Sequence, residues 1–354
     1  MPSMKRRTMI LAGMGLALPA IGARAQALES TLVVRTTGGV FEAALKRNFF
    51  DPFTRATGTR IVPVATSYGE MIAKTVAMHK ANAVEWDIIS PQIFELENLS
   101  EYLLDLGDCG QMPNVAAQGV PGACVRWGVH YLTGGNVLTW NTEMLRDKAP
   151  RSWADFWDVQ KFPGRRALPS YGNPWNNSLA LALLADGVAP ANLFPMDLDR
   201  AFRKLDEIKP HIAVWWKTGA QSQQILRSGE VDMTMMWSGT AFATKRAGVP
   251  IAWTYTQAIA DLAAWAILRG APHPNAAKAF INFYMTNPEA HAAFSREMGY
   301  ATSNKGGLAL LPPETRNELV STPEALAGLV RMDANWVEAN RAATLDRWNR
   351  WIAA

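Results

Sequence analysis

The chain has little of what metal, thiol or nucleotide chemistry requires. Its 5 histidines, His79, His130, His211, His273 and His291, are scattered without ligand spacing. Neither a zinc site nor a catalytic metal is expected, and each ring reads as a surface or hydrogen-bonded core residue. Neither G-x-S-x-G nor GxxxxGK[ST] occurs, so hydrolase and nucleotide-driven chemistry have no local support. Hydroxyls in SGTAF and YGNP lack an obvious base, so no catalytic residue and no cofactor are expected. Low complexity and short repeats are absent as well, which excludes solenoids and disordered tails.

Acidic residues are missing from the start of the chain, where the first is Glu29. The run MKRRTMILAGMGLALPAIGARAQA has a basic start, an apolar stretch from Met9 to about Ala20, and small residues Ala23, Ala25 and Ala27. This pattern reads as an export signal over residues 1–27, too short and too interrupted by Pro19 to span a bilayer. Arg6-Arg7 suggests the twin-arginine route, with general secretion as the alternative. Lys5, Arg6, Arg7 and Arg24 account for the whole formal charge of +4, so the remainder is neutral and no nucleic-acid partner is expected. The chain has 2 cysteines, Cys109 and Cys124, at the ends of CGQMPNVAAQGVPGAC. An oxidising compartment could close them into a loop; the other reading is two buried thiols.

What is present is a long chain, 354 residues at 49% hydrophobic content, which points to two lobes. TLVVRT, RIVPVAT and WDIISP alternate with helices over about Phe41 to Thr57 and Tyr68 to Ala83. This βαβαβ order predicts an α/β fold with a mostly parallel sheet flanked by helices. Further strands are expected at GGNVLTWN, RRALPS, HIAVWW, DMTMMW, PIAWTY and LAAWAIL. Helices are expected near Asn177 to Ala185, Leu198 to Ile208, Gln221 to Ser228 and Asn275 to Met285, another starts at Asn287-Pro288, and one from about Ala325 to Trp351 closes the chain. Ligands in open α/β sheets sit beyond the carboxyl ends of strands. The loops with Thr37, Gly38 and Gly39, with Ser67 and Tyr68, and with Ser90 and Gln92 therefore form one candidate wall.

The ordered set WDIISP, SWADFWDVQKFPGR, SGEVDMTMMWSGTAF and AAKAFINFYMTNPEAHAAFSREMGYATSN resembles the extracellular solute-binding proteins of ABC importers, in the spermidine/putrescine-binding group and its relatives. The resemblance implies a two-lobed periplasmic binding protein fold, with residues 28–136 plus 261–305 as lobe 1 and 137–260 plus 306–354 as lobe 2. Its ligand lies between the lobes, which close on it. It also implies a periplasmic monomer whose partners are a small solute and an inner-membrane ABC permease. Iron-binding relatives use adjacent tyrosines, and no such pair occurs here.

Polyamine binders of this group use cleft carboxylates and aromatic faces, because a desolvated cation needs both charge and a π surface. Trp237 stands where the family has a cleft tryptophan. Asn177, however, falls where a family glutamate would, and the position of the family's aspartate falls on Ala263. Asp261 lies two residues earlier, on the same face of a strand. Thr218-Gly219-Ala220-Gln221 precedes a helix, whose positive end could receive a carboxylate; the plainer reading is a turn and cap. Together these features point to a zwitterionic, γ-aminobutyrate-like solute, with a polyamine as the alternative and an exported enzyme behind both. Ser238, Tyr171 and Trp175 complete the candidate ligand-binding set. Of Trp215 and Trp216, one is expected to face the cleft and the other the core, and Trp215 is assigned to the cleft.

Overall fold

The computed structural model describes residues 28–146, 148–170 and 177–354. The export segment, Tyr171 and Trp175 lie outside the described residues, and of Asn177 only the backbone, the start of helix Asn177–Ala185, is described.

Ten strands form one continuous sheet among the described residues. They are β1 (Thr31–Thr36), β2 (Arg60–Ala65), β3 (Ile88–Ile89), β4 (Cys124–Val125), β5 (Gly128–Asn141), β6 (Arg166–Pro169), β7 (Ile212–Trp216), β8 (Met233–Trp237), β9 (Ile251–Ile267) and β10 (Ala301–Thr302). The order is β2-β1-β3-β9-β5-β8-β6-β7, with β4 and β10 also on β5. Each end of the sheet is a parallel triplet, β2-β1-β3 and β8-β6-β7. The two triplets meet only through β5 and β9, which run antiparallel to each other and to their neighbours. Two apolar cores follow from this arrangement. One draws on residues 32–132 and 263–298, around Phe49, Phe53, Trp265 and Phe280. The other draws on residues 137–262 and 320–348, around Trp153, Phe156, Trp216 and Trp348.

Three expected elements change form. PIAWTY and LAAWAIL are a single strand, β9, because Gln257 adopts φ 57 and a bulge opposite Asn136 and Leu138 carries the strand past the polar Thr256-Gln257. Trp153 fastens that bulge, its indole donating to the Gln257 carbonyl at 3.0 Å and its backbone N–H to Gln257 Oε1 at 3.2 Å. The single closing helix is instead Pro323–Ala327, Ala334–Ala339 and Arg341–Ala353. Val330 interrupts it by pairing with β9: its N–H donates to the Ala258 carbonyl and its carbonyl accepts from Ala260, both at 2.8 Å. Asp333 then caps the next helix by accepting from the Trp336 N–H at 2.9 Å.

Cys109 and Cys124 are joined in a disulfide at a separation of 15. Constraining a loop of that size in the unfolded chain stabilises by about 3 kcal/mol. Reduction, or Cys109→Ala with Cys124→Ala, is expected to lower thermal stability by that order. Calorimetry with and without reductant checks it, and an unchanged midpoint would contradict it.

Candidate functional site

The three loops at the carboxyl ends of β1, β2 and β3 converge on one residue that sequence reasoning missed. Arg35, within β1, is 1% exposed. Its Nε donates to Thr66 Oγ1 at 3.0 Å, its Nη2 to the Thr66 carbonyl at 2.6 Å and its Nη1 to Ser90 Oγ at 3.1 Å. No carboxylate pairs with it among the described residues, and burial lowers it to about 10, opposed by Tyr131 and Glu70. A lone charge inside the apolar run TLVVRT is the signal that could have found it.

The neighbouring loops are built by local capping. Gly38 and Gly39 take φ 73 and 60, which a side chain would strain, and turn β1 into the following helix. Gly38 N–H donates to Thr36 Oγ1 at 3.2 Å, and Thr37 and Gly39 are exposed. Ser67 caps helix Tyr68–Lys80 through a reciprocal pair with Glu70. The Tyr68 hydroxyl accepts from the Gln92 N–H at 3.0 Å, so the second and third loops are tied together.

Gln92 carries the connection to the centre of the molecule. Its Nε2 donates to Asp261 Oδ1 at 2.7 Å and its Oε1 accepts from the Leu262 N–H at 2.9 Å. Asp261 sits on β9 opposite Gly134 of β5, where the two crossing strands link the halves. It is half-buried, and burial raises its pKa against the Gln92 bond. Its Oδ2 accepts no hydrogen bond among the described residues.

Three tyrosines that were not anticipated lie beside this carboxyl or beside Ser238. Tyr300 lies against Gly134, where a Cβ would come within 2.6 Å of its ring, and Asp261 and Tyr131 add to the burial that raises its phenol. Tyr131 stacks on Trp265 at 4.0 Å, and burial pushes Tyr255 up to about 12. Three separate segments supply these rings, β5, β9 and the turn before β10, so no local pattern announces them.

The opposite half contributes Trp237, Ser238 and the start of helix Gly219–Arg227. Ser238 is buried and its Oγ accepts from the Gly135 N–H at 3.2 Å, so it and Asp261 meet the same glycine pair. Trp237 is partly exposed, lies edge-on to Trp216 at 5.7 Å, and is so close to Gly219 that a Cβ there would come within 2.9 Å of its ring. Thr218 Oγ1 accepts from the Gln221 N–H at 3.1 Å, and Gln221 Oε1 accepts from Lys217 N–H at 2.8 Å. The cap therefore occupies the Thr218 hydroxyl and the Gln221 amide oxygen, leaving the Gly219 and Ala220 N–H groups as the donors at this exposed helix end.

One expected cleft residue is placed elsewhere. Trp215 packs edge-on against Trp348 and Trp351 of the last helix, at 5.8 and 5.5 Å. Alternation along β7 explains the pair: Trp216 is fully buried and turns toward Trp237, so Trp215 turns to the opposite face.

The fold agrees with what known proteins show. Residues 48–319 match the bacterial extracellular solute-binding proteins, and the chain belongs to that family. It is 35% identical over 343 residues to the gamma-aminobutyric acid-binding protein of Pseudomonas aeruginosa, covering 94% of each chain. It is 23% identical over 285 residues to the spermidine/putrescine-binding periplasmic protein of Escherichia coli, covering 78% of this chain and 79% of that one. A solved GABA receptor superposes with a TM-score of 0.77 at 30% identity, over 91% of this chain and 97% of that one.

Proposed function

We propose that the protein is the periplasmic solute-binding component of an ABC importer and captures a small zwitterionic amine of the γ-aminobutyrate class. The observation that carries this reading is Asp261, a single enclosed carboxyl between the two halves with one oxygen held by Gln92 and the other without a partner among the described residues. An ammonium meets that oxygen, the rings of Tyr300 and Trp237 line the apolar stem, and the Gly219 and Ala220 N–H groups receive the carboxylate. A solute that touches both halves favours the closed arrangement by its differential affinity. The halves correspond to residues 28–136 plus 261–305 and 137–260 plus 306–354, a division supported by the two apolar cores. The monomer hands its solute unaltered to an inner-membrane permease, without catalysis. Export by the N-terminal segment accords with the Cys109–Cys124 disulfide, which suits an oxidising compartment.

A thermal-shift series with γ-aminobutyrate, putrescine and spermidine tests the solute class, because a ligand of the folded state raises its stability by mass action. γ-Aminobutyrate should raise the midpoint. Stabilisation by the polyamines alone would replace the zwitterion reading with the polyamine one, which the relative from Escherichia coli makes the specific competitor. Trp237→Ala is expected to weaken γ-aminobutyrate about tenfold or more while the protein stays folded, since an aromatic face over a cation and its stem contributes about 1–2 kcal/mol. Undiminished affinity would place that ring outside the site.

A further inference from the structure

A cavity of about 430 Å³ lies between the helix Tyr68–Lys80, the turn around Glu95 and the C-terminal segment Ala334–Arg341. Its volume is that of a small-molecule site. Asp261, Trp237 and Ser238 do not line it; Tyr68 is the one residue it shares with the cleft wall described above.

The chemistry of its lining is specific. Glu95 is 5% exposed, and its side chain accepts one long hydrogen bond, from the Gln92 N–H to Oε2 at 3.4 Å. Oε1 has no partner among the described residues. The cation that faces the cavity is already engaged: Arg341 donates from Nε and Nη2 to Glu338 Oε2 at 2.9 and 2.7 Å. Ile72, Val76, Leu99 and Val337 supply an apolar wall beside the Tyr68 and Tyr102 rings. A buried carboxyl with a vacant oxygen, an apolar wall and no spare cation complement a positive head on a short hydrocarbon stem.

We propose that this cavity is a second binding site, for a primary alkylammonium whose head is held by Glu95 and whose stem lies along Ile72, Val76 and Val337. Burial pushes the Glu95 carboxyl up to about 8, against the Gln92 N–H and Arg341. A bound ammonium favours the ionised form, so affinity rises with pH as Glu95 ionises. The other titratable groups facing the cavity are Tyr68, Glu101, Tyr102, Glu338 and Arg341. Its carboxyl is distinct from Asp261 and the proposal does not depend on the reading of the solute cleft, although this cavity too lies between residues 28–136 and 306–354 and is joined to Asp261 through Gln92.

The probe is n-butylammonium, with n-butanol as its neutral counterpart, titrated calorimetrically into the full-length mature chain. Saturable one-to-one binding is expected for the amine and none for the alcohol, with affinity at least about tenfold higher at pH 9 than at pH 6 as the carboxyl ionises. Glu95→Gln should weaken the amine at least about tenfold and flatten the pH dependence. Ala73→Phe, which fills the cavity from an exposed position of its lining, should do so without altering the carboxyl. Asp261→Asn removes the cleft carboxyl as a competing ammonium site, and the binding assigned to Glu95 should persist in it. No saturable binding by the native protein, equal binding of the alcohol, retention in Glu95→Gln, or loss in Asp261→Asn would each overturn the proposal.

Discussion

Asp261→Asn is expected to weaken γ-aminobutyrate binding roughly a hundredfold or more, because removing one partner of a buried charge pair costs about 3–5 kcal/mol and each 1.4 kcal/mol is tenfold. The substitution keeps shape and the Gln92 contact can persist through the amide oxygen, so only the charge is lost. Stability of the empty protein should not fall. Burial raises the pKa of this carboxyl, which means that the empty fold already disfavours its charge, and a neutral amide removes that strain. The sign for pH follows. A raised folded pKa contributes stability that is complete below the unfolded value and is lost as pH rises through the folded value, while an ammonium ligand needs the ionised form, so binding weakens on acidification. Calorimetric titration and thermal melts of the two proteins separate the effects. Retained affinity, or a large loss of stability in the empty variant, would show that Asp261 is structural.

Arg166→Met is expected to destabilise the protein by about 3–5 kcal/mol without touching the site, as removal of a buried charged donor from its acceptors does. Arg166 is fully buried, and burial lowers it to about 10, opposed by Asp232 and Asp158. Its guanidinium donates to the carbonyls of Phe156 at 2.7 Å, Gly164 at 2.6 Å and Asp158 at 3.4 Å, and also to Phe162. These bonds satisfy the loop between helix Trp153–Trp157 and β6. Methionine matches the stem and leaves those acceptors buried without a donor. Urea denaturation measures the difference. A variant as stable as the native chain would mean that water satisfies the loop instead.

The parallel triplets were legible because each strand is a short apolar run ended by polar, small residues, as in TLVVRT before Thr37-Gly38-Gly39. Asp261 and Trp237 were put forward through the family resemblance, Asp261 also because a two-residue shift keeps one face of a strand. What escaped depends on long-range packing. Thr256-Gln257 breaks the apolar pattern, yet a bulge held by Trp153 keeps β9 continuous. Which of Trp215 and Trp216 faces outward depends on where the last helix docks. Arg35 reads as an oddity in a strand until the fold brings Thr66 and Ser90 to it. Tyr131, Tyr255 and Tyr300 become neighbours of Asp261 or Ser238 only through the crossing strands.

The most direct measurement is a crystal structure of the protein grown with γ-aminobutyrate. The account predicts its ammonium nitrogen within hydrogen-bond distance of Asp261 Oδ2, the Trp237 ring against its methylenes and its carboxylate at the Gly219 and Ala220 N–H groups. Density for the solute away from Asp261, or a site that stays empty at saturating solute, would contradict it.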